Sequence, residues 1–325
     1  MIKLSGRTAL ILGITGQDGS LLAKTLLEKG YEVVGLSRKS ESSAFTNSNL
    51  SKLGLVDQLK ILQVDPSDYA TLSKSIGKYE PDEFYNLSGP SSVADSFIRP
   101  QHCLKEIVVN TLNCLESIRN LSPTTRYFDP SSSECFGNTR DGPADESTPI
   151  NPRSPYGIAK VTSRNLVSMY RDSYGIFASS GILFNHESPL RAEHFVTQKI
   201  AKAAVEISNG NRAILSLGDI EIIRDWGWAP EYVEAMHLML TYPEPGDYVI
   251  ATGESFSLKK FIEIAFLKVG LDWNDHVTYS DQYQRPQEIY KSYANPGKAR
   301  RLLGWKAKYS LKYVVDRMIE AHLNN

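Results

Sequence analysis

The chain has 325 residues, enough for one large or two medium domains with a sizeable core. A hydrophobic content of 41%, a charged content of 22% and a net charge of -1 describe an ordinary soluble globular protein, with no electrostatic reason to bind nucleic acid or an anionic membrane. No apolar run is long enough to span a bilayer, the first residues lack a signal-peptide apolar region, and Cys103, Cys114 and Cys135 have no metal-ligand or disulfide spacing, so a cytoplasmic protein with reduced thiols and no metal is expected.

Residues 7–12 form a short β-prone run, and residues 20–29 have the apolar spacing of a helix. Between them lies Gly13-Ile14-Thr15-Gly16-Gln17-Asp18-Gly19. Strand, G-x-x-G-x-x-G and helix together make a dinucleotide-binding arrangement, in which glycines allow a tight turn and a diphosphate sits on the helix N-terminus. The competing reading is an ordinary glycine turn.

Residues 32–36 read as the second strand, followed by Ser37-Arg38-Lys39-Ser40 where an NAD site usually places an acid. Arg38 and Lys39 suit a 2′-phosphate, which points to NADP, although solvated loop charges would look the same. The third strand covers 60–64 and ends at Asp65; the fourth covers 82–87 and runs from Leu87 into Ser88-Gly89-Pro90-Ser91-Ser92. Asp65, Leu87, Ser88 and Ser91 join the candidate cofactor-binding set, since small residues let a cofactor pass closely.

A helix over 100–120 precedes a fifth strand at 126–128, which delivers Ser131-Ser132-Ser133-Glu134 to its C-terminal end. In open parallel sheets that edge binds ligands. Tyr156 and Lys160 then stand four apart on a helix, so they share a face. A cation beside a phenol favours the phenolate, making Tyr156 a candidate proton acceptor for alcohol oxidation. A decorated, exposed helix face is the competing reading. After a strand at 177–184 the loops lengthen, carrying His186, Glu187, Arg191, Lys199, Arg224 and Arg285. The whole predicts an α/β fold: a doubly wound parallel sheet of Rossmann type over 1–184, and a smaller C-terminal α/β domain over 185–325 whose segments can interleave with the first.

Taken together, G-x-x-G-x-x-G, S-S-S-E and Y-x-x-x-K resemble the extended short-chain dehydrogenase/reductase superfamily. Within it, G-I-T-G-Q-D-G-S (13–20), P-R-S-P-Y-G-I-A-K (152–160), G-I-L-F-N-H-E-S-P (181–189), R-D-W-G (224–227) and V-I-A-T-G-E (249–254) resemble the GDP-mannose 4,6-dehydratase family over nearly the whole chain. Q-D-G-S and N-H-E-S-P mark that branch, whereas Y-x-x-x-K is shared by the superfamily.

The resemblance implies a redox-neutral dehydration, with tightly bound NADP taking hydride from sugar carbon 4 and returning it to carbon 6. It implies a catalytic set of Ser132, Glu134, Tyr156 and Lys160, with Glu134 as the acid/base of the elimination. His186 and Arg191 match cofactor positions, and Asn185, Val196, Lys199, Arg224, Arg285 and Glu288 match positions around the nucleotide sugar. It also implies a homodimer or homotetramer. The chain departs from the family pattern at Leu12, Pro90, His102, Asn110, Ser132, Leu190 and Trp228, and in a shorter loop between 278 and 285. These departures leave the sugar open between mannose and a GDP-linked heptose. The fold would equally suit a 4-reductase or epimerase, or a non-catalytic NADP-sensing protein. Glu134 separates a reductase or epimerase from a dehydratase, because only dehydration needs a carboxyl group there.

Overall fold

In the computed structural model of the chain, the described residues are 6–38, 48–139 and 142–324. Lys39 and most of the serine-rich loop after it lie outside them. The first half alternates β1 (Thr8–Leu12), α1 (Gln17–Glu28), β2 (Glu32–Ser37), α2 (Asn49–Lys52), β3 (Lys60–Gln63), α3 (Tyr69–Tyr79) and β4 (Glu83–Asn86). It continues through α4 (Val93–Ile98), α5 (Pro100–Leu104), α6 (Asn110–Leu121), β5 (Arg126–Ser132), α7 (Pro155–Tyr174) and β6 (Ala178–Leu183). The second half has β7 (Asn185–Glu187), α8 (Val196–Ser208), β8 (Leu215–Leu217), β9 (Ile223–Trp228), α9 (Ala229–Thr241) and β10 (Asp247–Ile250). β11 (Ser255–Ser257), α10 (Leu258–Lys268), β12 (Val277–Tyr279) and α11 (Leu311–Leu323) complete it.

Seven strands form one sheet in the order β10-β6-β5-β4-β1-β2-β3, with every neighbouring pair parallel. Both faces are covered, which is why its strands are nearly continuously apolar. Alternate residues point to opposite faces. Ala9, Ile11, Tyr85 and Phe128 pack with Leu22 and Leu26 of α1 and Met236 of α9, while Leu10, Phe84 and Tyr127 pack with Ile76, Leu115 and Val167 of α3, α6 and α7. Each fully buried Leu or Phe contributes roughly 1.5–3 kcal/mol relative to exposure. The chain leaves this sheet after β6, yet α9 and β10 return to it from beyond residue 184, so the two halves interleave. Elsewhere in the second half, α8, α10 and α11 cover β8 and β9 through Ile200, Leu215, Trp226, Phe261 and Val315.

Two local differences from the sequence expectation have physical causes. The helix α1 begins at Gln17, three residues before the apolar spacing starts, because Gln17, Asp18 and Gly19 are helical without adding to the stripe. The expected helix over 100–120 is instead α5, a π-helical turn at Lys105–Val109, and α6. Such an insertion rotates the following face, a shift that apolar periodicity does not reveal. No helix among the described residues is long and apolar enough to cross a membrane. Cys103, Cys114 and Cys135 are buried free thiols.

Candidate active site

The order of the large sheet reverses between β1 and β4, and the loops leaving these strands touch. Gly13 has φ +84, and a Cβ there would lie 2.4 Å from the Leu87 carbonyl oxygen, so only glycine lets the two strand ends meet. A Cβ on Gly19 would lie 2.3 Å from the Gly13 oxygen, which fixes the turn against α1. Gly16 is the N-cap of α1 and supplies no side-chain cap, leaving the first amides of a 12-residue helix for an anion. Arg191 approaches from the other side, and its Nε is buried without a hydrogen-bond partner, though 3.4 Å from Glu187 Oε2. A helix N-terminus with a guanidinium group near its first turn fits the diphosphate of a dinucleotide.

Gln17 and Asp18 bind the second half of the chain. Gln17 Nε2 donates to the His186 carbonyl at 3.2 Å and Ser188 Oγ donates to Gln17 Oε1 at 2.8 Å. His186 Nε2 stands 3.0 Å from Asp18 Oδ2 and Nδ1 stands 2.7 Å from the Phe184 carbonyl. Both ring nitrogens face acceptors, an arrangement that favours a proton on each. Burial opposes the resulting charge, but the Asp18 carboxylate outweighs it and raises the His186 pKa. At the far end of the edge, half-exposed Arg38 pairs with Glu106 and lies 3.6 Å from Asp65. Thr15 lies on the glycine turn between these groups.

A cavity of about 650 Å³ extends from this edge into the second half of the chain. Ser132, Glu134, Tyr156 and Lys160 all line it, as do Asp18, Leu87, Ser88, Ser91, His186 and Arg191. Gly13, Thr15, Gly16, Gln17, Gly19, Arg38 and Asp65 lie outside its lining. The Tyr156 helix starts on Pro155 at its first position, with Ser154 Oγ accepting from the Gly157 amide at 3.0 Å. A Cβ at Gly157 would lie 3.0 Å from the Glu134 carbonyl, so this glycine lets α7 press against the Glu134 turn.

Tyr156 and Lys160 are buried, 8% and 6% exposed, which rules out a merely decorated surface. Lys160 Nζ lies 5.8 Å from the Tyr156 ring centre and donates to the Pro130 carbonyl at 2.7 Å. The Lys160 charge is not the largest influence on the phenol. Burial is the largest influence and pushes Tyr156 above its ordinary pKa, against a hydrogen bond from Ser132 that lowers it. Burial likewise lowers the Lys160 pKa, partly offset by Asp129. Ser132 Oγ also accepts from the Glu134 amide at 3.3 Å. The serine therefore caps the turn, which leaves the Glu134 carboxyl for other work. Burial raises the Glu134 pKa against the pull of Arg224 and Arg285, as suits a group that takes and returns a proton.

The opposite wall carries Asn185, Val196, Lys199, Arg224, Arg285 and Glu288. Arg224 Nη2 donates to Glu288 Oε1 at 2.9 Å, and Arg285 Nη1 lies 3.4 Å from the same oxygen. Lys199 is at the rim, its Nζ 5.3 Å from the Tyr283 ring centre. Thus two guanidinium groups and a carboxylate converge across the cavity from Glu134, a set able to hold phosphate oxygens and a hydroxyl.

Some of the sequence departures reach the cavity. Pro90, Ser132 and the short loop through Gln282, Tyr283 and Gln284 line it, whereas His102, Leu190 and Trp228 do not. Trp228 packs edge-on against Tyr313, with ring centres 5.5 Å apart. Glu187, which the sequence places in the N-H-E-S-P loop, is buried with Thr197 Oγ1 at 2.8 Å. Sequence reasoning missed Asp129, which lies behind Lys160; its only signal was a charged residue inside an otherwise β-prone run.

Comparison with known proteins identifies the family and the fold. A family model described as GDP-mannose 4,6 dehydratase matches residues 10–318. GDP-mannose 4,6 dehydratase 1 of Arabidopsis thaliana is 42% identical over 98% of this chain and 90% of its own length. The Homo sapiens GDP-mannose 4,6 dehydratase is 39% identical over 96% of this chain and 90% of its own length. Among solved structures, the UDP-glucose 4-epimerase of Thermotoga maritima superposes with a TM-score of 0.86 at 21% identity, covering 98% of this chain and 99% of that one. The dTDP-glucose 4,6-dehydratase of Bacillus anthracis gives 0.85 at 18% identity, covering 98% and 97%. At such identities the superpositions speak for the fold alone.

Proposed function

Because the chain belongs to the GDP-mannose 4,6 dehydratase family, we propose that it converts GDP-mannose to GDP-4-keto-6-deoxy-mannose with loss of water, using NADP. The observation that carries this reading is Glu134, a carboxyl group with a raised pKa, on one cavity wall with Ser132, Tyr156 and Lys160. Tyr156 takes the proton of the 4-hydroxyl as carbon 4 is oxidised, and the Ser132 hydroxyl bonds the same oxygen. The 4-ketone acidifies the proton on carbon 5. Glu134 removes that proton and passes it to the departing 6-hydroxyl, which leaves as water. Carbon 5 then regains a proton from solvent, and no net reductant is consumed.

The glycine turn 13–19, Asp65, Leu87, Ser88, Ser91, His186 and Arg191 would hold the cofactor, with Lys160 at its ribose and Arg38 and Lys39 at its 2′-phosphate. Bound there, the nicotinamide would supply the hydride chemistry, with the hydride leaving carbon 4 and returning to carbon 6. Asn185, Val196, Lys199, Arg224, Arg285 and Glu288 would hold the nucleotide sugar, the arginines on its diphosphate. The exposed position of Arg38 near Asp65 supports NADP over NAD. A charge-assisted hydrogen bond is worth about 1.5–3 kcal/mol. Arg38→Ala should therefore weaken NADP binding by roughly 10–100-fold and leave NAD binding unchanged in a fluorescence titration; equal losses for both would refute the assignment.

The family match favours mannose over a heptose. The direct test is incubation with GDP-mannose in heavy water, followed by mass and proton spectra. Loss of one water with deuterium at carbon 5 and no net NADPH supports the reading. Turnover of a GDP-heptose alone would move the substrate, and a net reduction would favour a 4-reductase. Inertness towards every nucleotide sugar, with NADP bound, would favour the sensing protein.

The chain is further proposed to act as a homodimer or homotetramer. Ile98, Leu104, Val109, Leu112, Ile158 and Met169 are at least 36% exposed on the neighbouring helices α4 to α7, an apolar surface that a second copy would cover. Light scattering should give at least twice the monomer mass of 36.3 kDa, and Ile158→Glu should reduce it to the monomer's; a monomeric parent protein would sink the proposal.

A further inference from the structure

The sheet strand that ends at the catalytic serines carries a carboxylate inside the core. Asp129 is 1% exposed and accepts four hydrogen bonds. Oδ1 accepts from Tyr127 Oη at 2.8 Å, Asn86 Nδ2 at 3.0 Å and Thr111 Oγ1 at 3.1 Å, and Oδ2 accepts from Ser163 Oγ at 2.6 Å. Tyr127 Oη itself accepts from Asn86 Nδ2 at 3.2 Å, so its proton is free to point at Asp129. Every neighbour offers a donor, and an ionised carboxylate only accepts. Asp129 is therefore a buried negative charge.

A buried charge is costly unless another compensates it. The compensating cation is identified by two contacts between β5 and α7. Ser163, which holds Asp129, lies three residues after Lys160 on α7 and therefore on the same helix face. Lys160 Nζ donates to the carbonyl of Pro130, the residue after Asp129. The ammonium and the carboxylate are thus held on adjacent stretches of β5 and α7 beneath the cavity floor, beyond direct ion-pair contact but close enough for Asp129 to favour the lysine charge. The same network reaches the cofactor edge, because Ser88 Oγ donates to Asn86 Oδ1 at 2.7 Å.

We propose that Asp129 is the counter-ion that keeps the Lys160 ammonium charged and seated, a positioning residue that acts on Tyr156 through Lys160. The groups facing Lys160 are Tyr156 on its own helix, Cys103 of α5, Cys135 after β5, Asp18 of α1 and Asp129. Cys114 of α6 and Tyr127 of β5 face Asp129, and burial holds both above their ordinary pKa, so they stay neutral. The inference rests on the dehydratase reading only for its kinetic consequence.

The first measurement needs no activity: thermal unfolding of the purified holoenzyme and of Asp129→Asn between about pH 7 and pH 10, the upper limit set by the ordinary lysine pKa. With Asp129 neutralised, the folded-state pKa of Lys160 falls further below its unfolded value. The unfolded chain then binds more protons across that window, so stability rises with pH. The Tm deficit of Asp129→Asn is expected to be largest at neutral pH and to shrink towards pH 10. A deficit that does not change with pH would overturn the proposal, because losing four hydrogen bonds has no such dependence. Should Asp129→Asn fail to fold, Lys160→Met decides. Its uncompensated Asp129 should make the variant gain stability relative to the parent as pH falls from 7 towards 5, and an unchanged relative stability would refute the coupling.

In turnover of GDP-mannose, Asp129→Asn should narrow the pH profile from both sides, with the alkaline limb moving down by about one pH unit or more. A uniform loss of kcat with unmoved limbs would mark a merely structural role. If the parent enzyme turns over no nucleotide sugar, the function fails while the unfolding data still judge the coupling of the two charges.

Discussion

Tyr156→Phe is expected to lower turnover of GDP-mannose by roughly 10²–10⁴-fold, the range that a positioned general base contributes. NADP binding and Tm should change little. The variant deletes one oxygen that hydrogen-bonds with Ser132 and leaves the buried ring in place among Cys103, Ile107 and Ala159. The pH dependence of the parent enzyme carries a second expectation. Because burial raises the phenol's pKa in the protein, kcat should climb with pH on its acid limb as Tyr156 becomes able to accept a proton. Wild-type turnover by Tyr156→Phe, measured by conversion of the sugar in the mass spectrum, would remove Tyr156 from the chemistry.

Glu134→Gln should separate the two halves of the reaction. Oxidation at carbon 4 depends on Tyr156, Lys160 and Ser132 and should survive. Water loss should fall by about 10²–10⁴-fold, since the amide can neither take the carbon 5 proton nor return it. In the variant, bound NADPH should accumulate to at most one equivalent and show in the absorbance, while carbon 5 stays free of deuterium in heavy water. The folded-state pKa of Glu134 is raised, so the carboxylate that must take the carbon 5 proton forms at higher pH than in an exposed glutamate, and the acid limb of dehydration should lie correspondingly higher. Unimpaired product from Glu134→Gln would eliminate Glu134 as the acid/base and favour a reductase or epimerase reading. A loss of carbon 4 oxidation equal to the loss of dehydration would instead indicate a disturbed substrate pose, since Gly157 packs directly on the Glu134 turn.

Much of the site is legible in the chain itself. The strand, glycine turn and helix around residues 7–29, the Ser132 and Glu134 cluster and the Tyr156–Lys160 spacing all rest on local rules, which hold within a few residues of chain. Glycines at 13 and 19 are needed where the backbone approaches within Cβ distance, so their spacing carries information that most surface positions lack. The resemblance to the dehydratase family extended this to loops such as 185–191, where no local periodicity exists.

What stayed hidden depended on distance along the chain. Strand β10 lies beside β6 although residues 184–246 intervene. Its short apolar run has no feature that names its partner. The π-helical turn at Lys105–Val109 shifts a helix face without altering its composition. Asp129 and Lys160 come together only when α7 docks on β5.

The parallel α/β class and the glycine turn could be read from the residues alone, because strand alternation, helix spacing and glycine steric limits act between near neighbours, while the proposed proton-transfer set needed the family resemblance beside the Tyr156–Lys160 spacing. How those groups are charged could not be read, since packing sets it. Burial raises Tyr156 and Glu134 and lowers Lys160, while Asp129 and the arginines oppose these shifts from distant segments. Desolvation and buried charge are properties of the packed interior, and no stretch of chain carries them until it folds.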